Sequence, residues 1–459
     1  MIIPGTIPVR MGTYHGTNFM IAYWYPKMAV YDDIRGWNSI PHTGNCEYYN
    51  DFGDFDVEIT VPKNYNVWSS GILKNATEIY SKKYLEKIDK AANSDEIIKV
   101  ITKEDRLENK ITIDAEKHTY KFKAKNLPDF AFAVSNSYLW DATSVKVGNN
   151  RVLVHAVYYE NSKDFHEVAD ISRKIIDYFS TKCPAIEFPY PQMVAFNGSG
   201  GMEFPGMIND GDGENKNGTI YVTAHEIGHT YFPFYTGLNE QRYAWMDEGL
   251  ISFFPQKVVA KYTDDKDYVA FRSTVKGYNH YAGTEIEIPL MVSSTNTGQA
   301  YRYQAYSRSS TAFYVLHEMI GEEKFNEALQ EFASRWKSKH PTPYDFFFTF
   351  DKIVGEDLGW FWKPWFFELG YADLALENVS KKNEENTVEV INKGGFPVPV
   401  KLKVVYKDGS ENIIEKPISI WKNQAKSIKI QLPEGKISFL ELDSEMIPDV
   451  FPENNRVEL

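Results

Sequence analysis

His225, Glu226 and His229 form an H-E-x-x-H element, and Glu248 follows the second histidine after eighteen intervening residues. On a helix, positions i and i+4 project from one face, so two imidazoles can be presented to one metal ion. Glu226 lies one residue along and can reach solvent beside that ion without ligating it. Glu248 offers a third, anionic ligand. Two neutral histidines and one carboxylate suit tetrahedral zinc and leave a fourth position open, the pattern of a catalytic rather than a structural site. The chemistry indicated is metal-assisted hydrolysis, and the spacing is that of a zinc peptidase. The competing reading is two satisfied core histidines and a salt-bridged glutamate.

The elements around these residues bear on that choice. Gly218 and Thr219 precede an apolar run of Ile220, Tyr221, Val222 and Ala224, and Pro233 closes it, so the motif is expected on a short helix. Tyr243 to Phe254 reads as a second, largely buried helix carrying Glu248. A carboxylate among Trp245, Met246, Leu250 and Phe253 is costly to bury unless it is paired or binds a metal. This cost favours the metal site.

The rest of the chain divides by texture. Residues 1–127 are expected to be mostly β: Phe55, Val57, Ile59 and Val61 alternate with polar residues, and 111–114 with 120–123 is expected to form a hairpin. The charged region from Lys82 to Lys110 is expected to be solvated surface. From Leu127 to Leu369 the pattern is helical and aromatic. Phe165, Val168, Ile171, Ile175, Ile176 and Phe179 keep helical spacing; Tyr306–Ile320 and Glu322–Trp336 predict two more helices, and Phe346–Leu369 a helical core segment. After Tyr371 strands return, with a hairpin turn at Lys407-Asp408-Gly409-Ser410 and strand texture over Ile413–Ile420 and Ser427–Ile430. A small β-sandwich is expected there. Asn209 to Asn215 resembles a calcium loop, but Gly is missing at the sixth position from Asp210 and Tyr221 occupies the place of the bidentate Glu. It is expected to be an ordinary loop.

Composition bounds the rest. A length of 459 residues accommodates two to four domains. Aromatic residues at 15% favour large buried surfaces, and a net charge of -13 argues against nucleic acid as a partner. There is no apolar run of eighteen residues, so no transmembrane segment is expected. Met1-Ile2-Ile3-Pro4-Gly5 lacks the layout of a signal peptide and enters strand-like sequence at once. A chain beginning inside a longer natural sequence would show this, with any export signal on the missing part; compartment and oligomeric state stay open. Cys46 and Cys183 are expected to be two buried thiols.

Gly200-Gly201-Met202-Glu203-Phe204 lies upstream of the metal motif, and Tyr306 lies downstream, fifteen residues before Gly321. In this order and spacing the chain resembles the aminopeptidase N family of zinc exopeptidases, a gluzincin group that includes the leukotriene epoxide hydrolase. The family pattern is G-[AG]-M-E-N, then H-E-x-x-H, eighteen residues and Glu, then a Tyr fifteen residues before a Gly. Phe204 replaces the usual Asn, Arg308 stands where Lys is commoner, and Tyr23-Trp24-Tyr25-Pro26 falls where many members carry a Gln or Glu that helps hold the substrate amine. The resemblance implies a multidomain α+β fold. Residues 1–127 would be a short N-terminal β domain, 128–371 a thermolysin-like, mostly helical zinc domain, and 372–459 a C-terminal β-sandwich. It implies one Zn2+ on His225, His229 and Glu248, Glu226 as general base, and Tyr306 as oxyanion donor. Gly200, Gly201, Met202 and Glu203 would bind the substrate, with Glu203 facing its free α-ammonium. Peptides with a free N-terminus would be the substrates. A zinc endopeptidase, an epoxide hydrolase activity and a catalytically silent zinc-binding scaffold are the alternatives.

Overall fold

The computed structural model describes residues 11–41, 46–382 and 385–459; Met1 to Gly5 lie outside the described residues. Near the N-terminus, Gly53–Pro62 alternates inward and outward as its sequence demands, with Val57 and Val61 buried. It pairs antiparallel with Lys117–Leu127, placing Val57 opposite Phe122 and Ile59 opposite Tyr120. The hairpin expected between 111–114 and 120–123 does not form. Residues 120–123 pair instead with 53–62 and 72–73, where Tyr120 and Phe122 are buried, and Thr112 contributes one bridge to Tyr80. A long partner with an apolar face outcompetes a four-residue one. A second antiparallel sheet is ordered 12–14, 18–21, 132–135, 66–69.

The charged region 82–110 is more than surface. It folds into a helix Lys82–Ala92, a strand β1 (Ile98–Ile101) and a short helix Lys103–Glu108. Tyr84, Val100 and Ile101 are buried, as is Asp105, which accepts from Lys83 at 2.6 Å and Lys87 at 3.1 Å. Charge density hid this because its lysines close over a buried partner.

β1 is the edge of the six-stranded sheet that carries the site. The other strands are β2 (Leu139–Val147), β3 (Asn150–Tyr158), β4 (Gln192–Asn197), β5 (Met202–Phe204) and β6 (Met207–Asp210), in the spatial order β5-β6-β4-β3-β2-β1. β4 runs parallel to both β3 and β6 and is buried along its whole length, as expected of a strand covered on both faces. Asn209 and Asp210, expected in a loop, end β6 and are fully buried; their polar side chains masked a strand.

α1 (Val168–Thr181) and α2 (Lys216–Gly228) pack on this sheet; α3 (Glu248–Tyr262) packs on α2, α5 (Ser309–Ile320) on α3, and α4 (Arg272–Tyr281) and α6 (Glu322–Trp336) on α5. α1 buries Val168, Ile171, Ile175, Ile176 and Phe179, the residues its spacing selected. The expected helix over 243–254 is divided: a single turn at 240–243, a 3-10 turn at 244–246, and α3 beginning at Glu248. The segment 346–369 is divided likewise, into Pro343–Val354, Gly359–Trp362 and a π-helical turn at 363–367. Gly355, with φ +79, ends the first piece.

The C-terminal residues form two facing sheets, 374–382/385–392/427–431 and 411–416/400–406/437–442/456–458. Gly409 (φ +85) sits in the turn predicted between 400–406 and 411–416. The expected strand 413–420 ends at Lys416, after which Pro417 leads into 3-10 turns. Cys46 and Cys183 are both buried. Among the described residues, no helix is long and apolar enough to cross a membrane.

Candidate metal centre

α2 starts at an Asn215 cap, whose side chain accepts from the Gly218 N–H at 3.0 Å. It carries His225 and Glu226, and His229 is the residue immediately after its end. α2 packs closely on α3. A Cβ on Gly228 would lie 3.2 Å from the Ile251 side chain, so glycine permits the approach. Glu248 opens α3, where a carboxylate meets the positive end of the helix dipole.

The three side chains converge. Nε2 of His225 lies 3.3 Å from Nε2 of His229 and 3.1 Å from Glu248 Oε2, and His229 Nε2 lies 3.6 Å from the same oxygen. Each histidine is oriented by its other nitrogen. His225 Nδ1 donates to the Ile251 carbonyl at 3.1 Å, and His229 Nδ1 donates to Asp247 Oδ1 at 2.6 Å. Both Nε2 lone pairs are thereby directed to a common point, as metal ligation requires. Glu248 Oε2 is buried and accepts no hydrogen bond within the protein. The donor set and this orphaned oxygen fit a zinc ion.

Tyr306 sits in a π-helical turn, Tyr303–Arg308, so α5 begins at Ser309 rather than at Tyr306 as the sequence suggested. Its hydroxyl donates to Glu248 Oε1 at 2.5 Å, and its ring lies parallel to that of His225, 6.2 Å away. Of the competing tyrosines, Tyr303 points away and donates to Glu287 at 2.6 Å, while the Tyr301 ring stands edge-on to Tyr306 at 6.3 Å.

Glu203, which could have been an exposed strand residue, is buried on β5, with Oε1 4.0 Å from His229 Nδ1. Glu226 is buried against Gly201: a Cβ there would fall 2.1 Å from Glu226 Oε1. Gly200, with φ +68, occupies the left-handed region just before β5. Phe204 is buried and meets the Tyr23 ring edge-on at 6.2 Å.

Sequence reasoning missed several residues around the site. Tyr48 donates from its hydroxyl to the Glu203 carbonyl at 2.7 Å and from its N–H to Glu240 at 2.8 Å. Burial, then the Asp247, Glu203 and Glu47 carboxylates, push Glu240 well above the usual carboxylate range. Glu47 accepts from the Tyr23 hydroxyl at 3.0 Å, in the neighbourhood where the sequence showed no second acidic or amide group. No spacing links 23, 47 and 240 in the sequence; only the sheet and the turn at 240–243 bring them together. His317 bonds Lys257 at 2.9 Å and Glu318 at 3.0 Å, which gives it a structural role.

Residues 169–365 match the family model described as peptidase family M1 domain. Leucine aminopeptidase 2 of Chaetomium globosum is 24% identical over 262 residues, which are 51% of this chain and 40% of that protein. Among solved structures, an aminopeptidase A of Legionella pneumophila superposes with a TM-score of 0.62 at 15% identity, over 87% of this chain and 44% of that one. An M1 zinc metallopeptidase of Deinococcus radiodurans, in a mutant form, gives 0.52 at 14%, over 70% and 66%. The chain thus spans less than half the length of the Chaetomium and Legionella proteins, and the two structures testify to the fold. The segment that matches the peptidase family M1 domain model, residues 169–365, carries both histidines, Glu248 and Tyr306.

Proposed function

We propose that the protein is a zinc-dependent aminopeptidase that removes N-terminal residues from peptides, with one Zn2+ per chain on His225, His229 and Glu248. The observation that carries this reading is the meeting of three ligand atoms, all within 4.8 Å of one another, with the Glu203 carboxylate beside them. Zinc bound there would lower the pKa of a water molecule and polarise the scissile carbonyl.

The chain's own groups supply the remaining chemistry. Glu226 takes the proton of the attacking water and returns it to the leaving amine. Its place against Gly201 limits where its carboxylate can sit. Tyr306 donates to the oxyanion that develops on the carbonyl. Burial and the adjacent Glu248 push its hydroxyl well above the ordinary tyrosine value, which keeps the donor proton in place. Glu203 pairs with the substrate α-ammonium in a buried setting where charge pairing is strong. Gly200, Gly201 and Met202 present backbone to the peptide, with no Cβ on the glycines to hold it away. An amine-binding carboxylate beside the metal favours an exopeptidase over an endopeptidase.

The test is hydrolysis of a leucyl-aminomethylcoumarin by zinc-loaded protein, with Glu226→Ala and the N-acetylated substrate as comparisons. Turnover that falls sharply with either change supports the reading. Equal inactivity of wild type and Glu226→Ala with zinc bound would end it, and undiminished cleavage of acetylated peptides would make the protein an endopeptidase.

A further inference from the structure

Arg308 lies two residues beyond Tyr306 and its side chain has no exposed surface. Burying a guanidinium is costly unless all its donors are used. Here they are. Nη1 bonds Glu287 Oε1 and donates to the Ile288 carbonyl at 2.7 Å. Nη2 donates to the carbonyls of Trp365 and Glu368, both at 2.8 Å, and to Pro364 at 3.4 Å, while Nε reaches Trp365 O at 3.2 Å. The Arg308 Cζ lies 4.8 Å from the centre of the Phe396 ring, which belongs to the C-terminal sandwich region.

The partner carboxylate closes the arrangement. Glu287 Oε2 accepts from the Tyr303 hydroxyl at 2.6 Å and from the Gly283 N–H at 3.2 Å. Tyr303 and Arg308 are the first and last residues of the π-helical turn, and Tyr306 lies between them. One carboxylate therefore clamps both ends of the turn. Gln304 adds a third tie, donating to the carbonyls of Pro289 at 2.8 Å and Val292 at 2.9 Å. A π-helical turn is wider than an α-helical one and rare without outside support. The tyrosine it presents is the one whose hydroxyl meets Glu248.

We propose that Arg308, through Glu287 and Tyr303, is a positioning residue for the Tyr306 hydroxyl, and that Phe396 and the 364–368 segment make this placement depend on the C-terminal sandwich. The inference rests on the oxyanion role of Tyr306. Lysine retains the charge but not the planar fork that reaches Glu287 and four carbonyls together, so Arg308→Lys tests geometry rather than charge.

Aminoacyl-coumarin hydrolysis is measured for wild type, Arg308→Lys, Tyr303→Phe, Tyr306→Phe and the Arg308→Lys/Tyr306→Phe pair, each with zinc content determined. Arg308→Lys is expected to lose about tenfold or more in kcat, with KM within about twofold and zinc retained. Tyr303→Phe deletes one hydroxyl from the clamp and is expected to lose a few-fold in kcat; it carries the test if Arg308→Lys does not fold. In the Tyr306→Phe background, Arg308→Lys is expected to cost less than about twofold, because the group it positions is already gone. A full additive loss in the double variant, or unchanged kcat in both Arg308→Lys and Tyr303→Phe, overturns the inference and leaves the function standing. A Tyr306→Phe enzyme as fast as wild type removes the Tyr306 role and this inference together.

Discussion

The Glu226 carboxylate lies where the side chain of residue 201 would be if that residue were not glycine: an ideal Cβ on Gly201 falls 2.1 Å from Glu226 Oε1. Gly201→Ala must therefore move the carboxylate, and because the displaced atoms end a flexible side chain, stability should hardly change. Activity should fall on the order of a hundredfold, the usual loss when a reacting group is displaced by about 1 Å. Aminopeptidase kinetics beside a melting curve check this. Full activity in Gly201→Ala would mean that the carboxylate's position does not matter.

Tyr306 and Glu248 are joined by a 2.5 Å hydrogen bond between a candidate oxyanion donor and a candidate ligand. Tyr306→Phe removes the donor and leaves His225, His229 and Glu248 in place. The expected loss in kcat is about a hundred- to a thousandfold, with zinc content unaltered. Single-turnover kinetics with zinc quantified in the same sample would show it. Loss of zinc in parallel with activity would instead make Tyr306 a support for the ligand.

The convergence of the candidate ligands was legible because they are close in sequence. His225, Glu226 and His229 share one helical turn, and Glu248 is costly among Trp245, Met246 and Leu250 unless it binds something. Tyr306 and Gly321 fall at the two ends of one continuous helical stretch, which runs to Ile320 and is capped by Gly321. What the sequence did not reveal was set by distant pairing. Glu240 and Tyr48 meet across 192 positions, the Tyr48 N–H donating to the Glu240 carboxylate and the Glu240 N–H to the Tyr48 carbonyl, and Asp210 looked like loop because its strand is short and ends in polar residues. The same reason explains the lost hairpin: residues 120–123 alternate well, but alternation does not name the partner strand. The Arg308 clamp draws on residues 287, 303, 365 and 396, which no local pattern connects.

Asp247 is fully buried and holds His229 Nδ1 at 2.6 Å, so with zinc on His229, as proposed, it would act on the metal through that ligand. Asp247→Asn preserves the shape and an acceptor but removes the charge that strengthens the imidazole. Zinc affinity is expected to weaken about ten- to a hundredfold, as measured by chelator competition. Stripping zinc from the wild type should lower its melting temperature, and restoring zinc should recover it, because binding to the folded state alone stabilises that state. Equal zinc affinity in the variant would show that Asp247 only fills space.

Asp449 ties the sandwich to α4. Its carboxylate accepts from the Leu374 N–H at 2.9 Å and the Phe451 N–H at 3.1 Å, while its own N–H donates to Asn279 at 3.0 Å. Burial raises its pKa to about 6, despite the opposing Leu374 hydrogen bond and with help from Asp373. The sign follows from proton counts. Between about pH 4, where an unfolded aspartate ionises, and about pH 6, the folded state holds the extra proton. Stability from this group is thus present below pH 4 and lost as pH rises through 6. Asp449→Asn cannot ionise, so the melting temperature of the variant relative to wild type should climb between pH 4.5 and pH 7.5. Comparing the two proteins at each pH cancels titrations they share, including those at the metal site. A difference that stays flat across this range would mean that Asp449 ionises in the fold as it does in water.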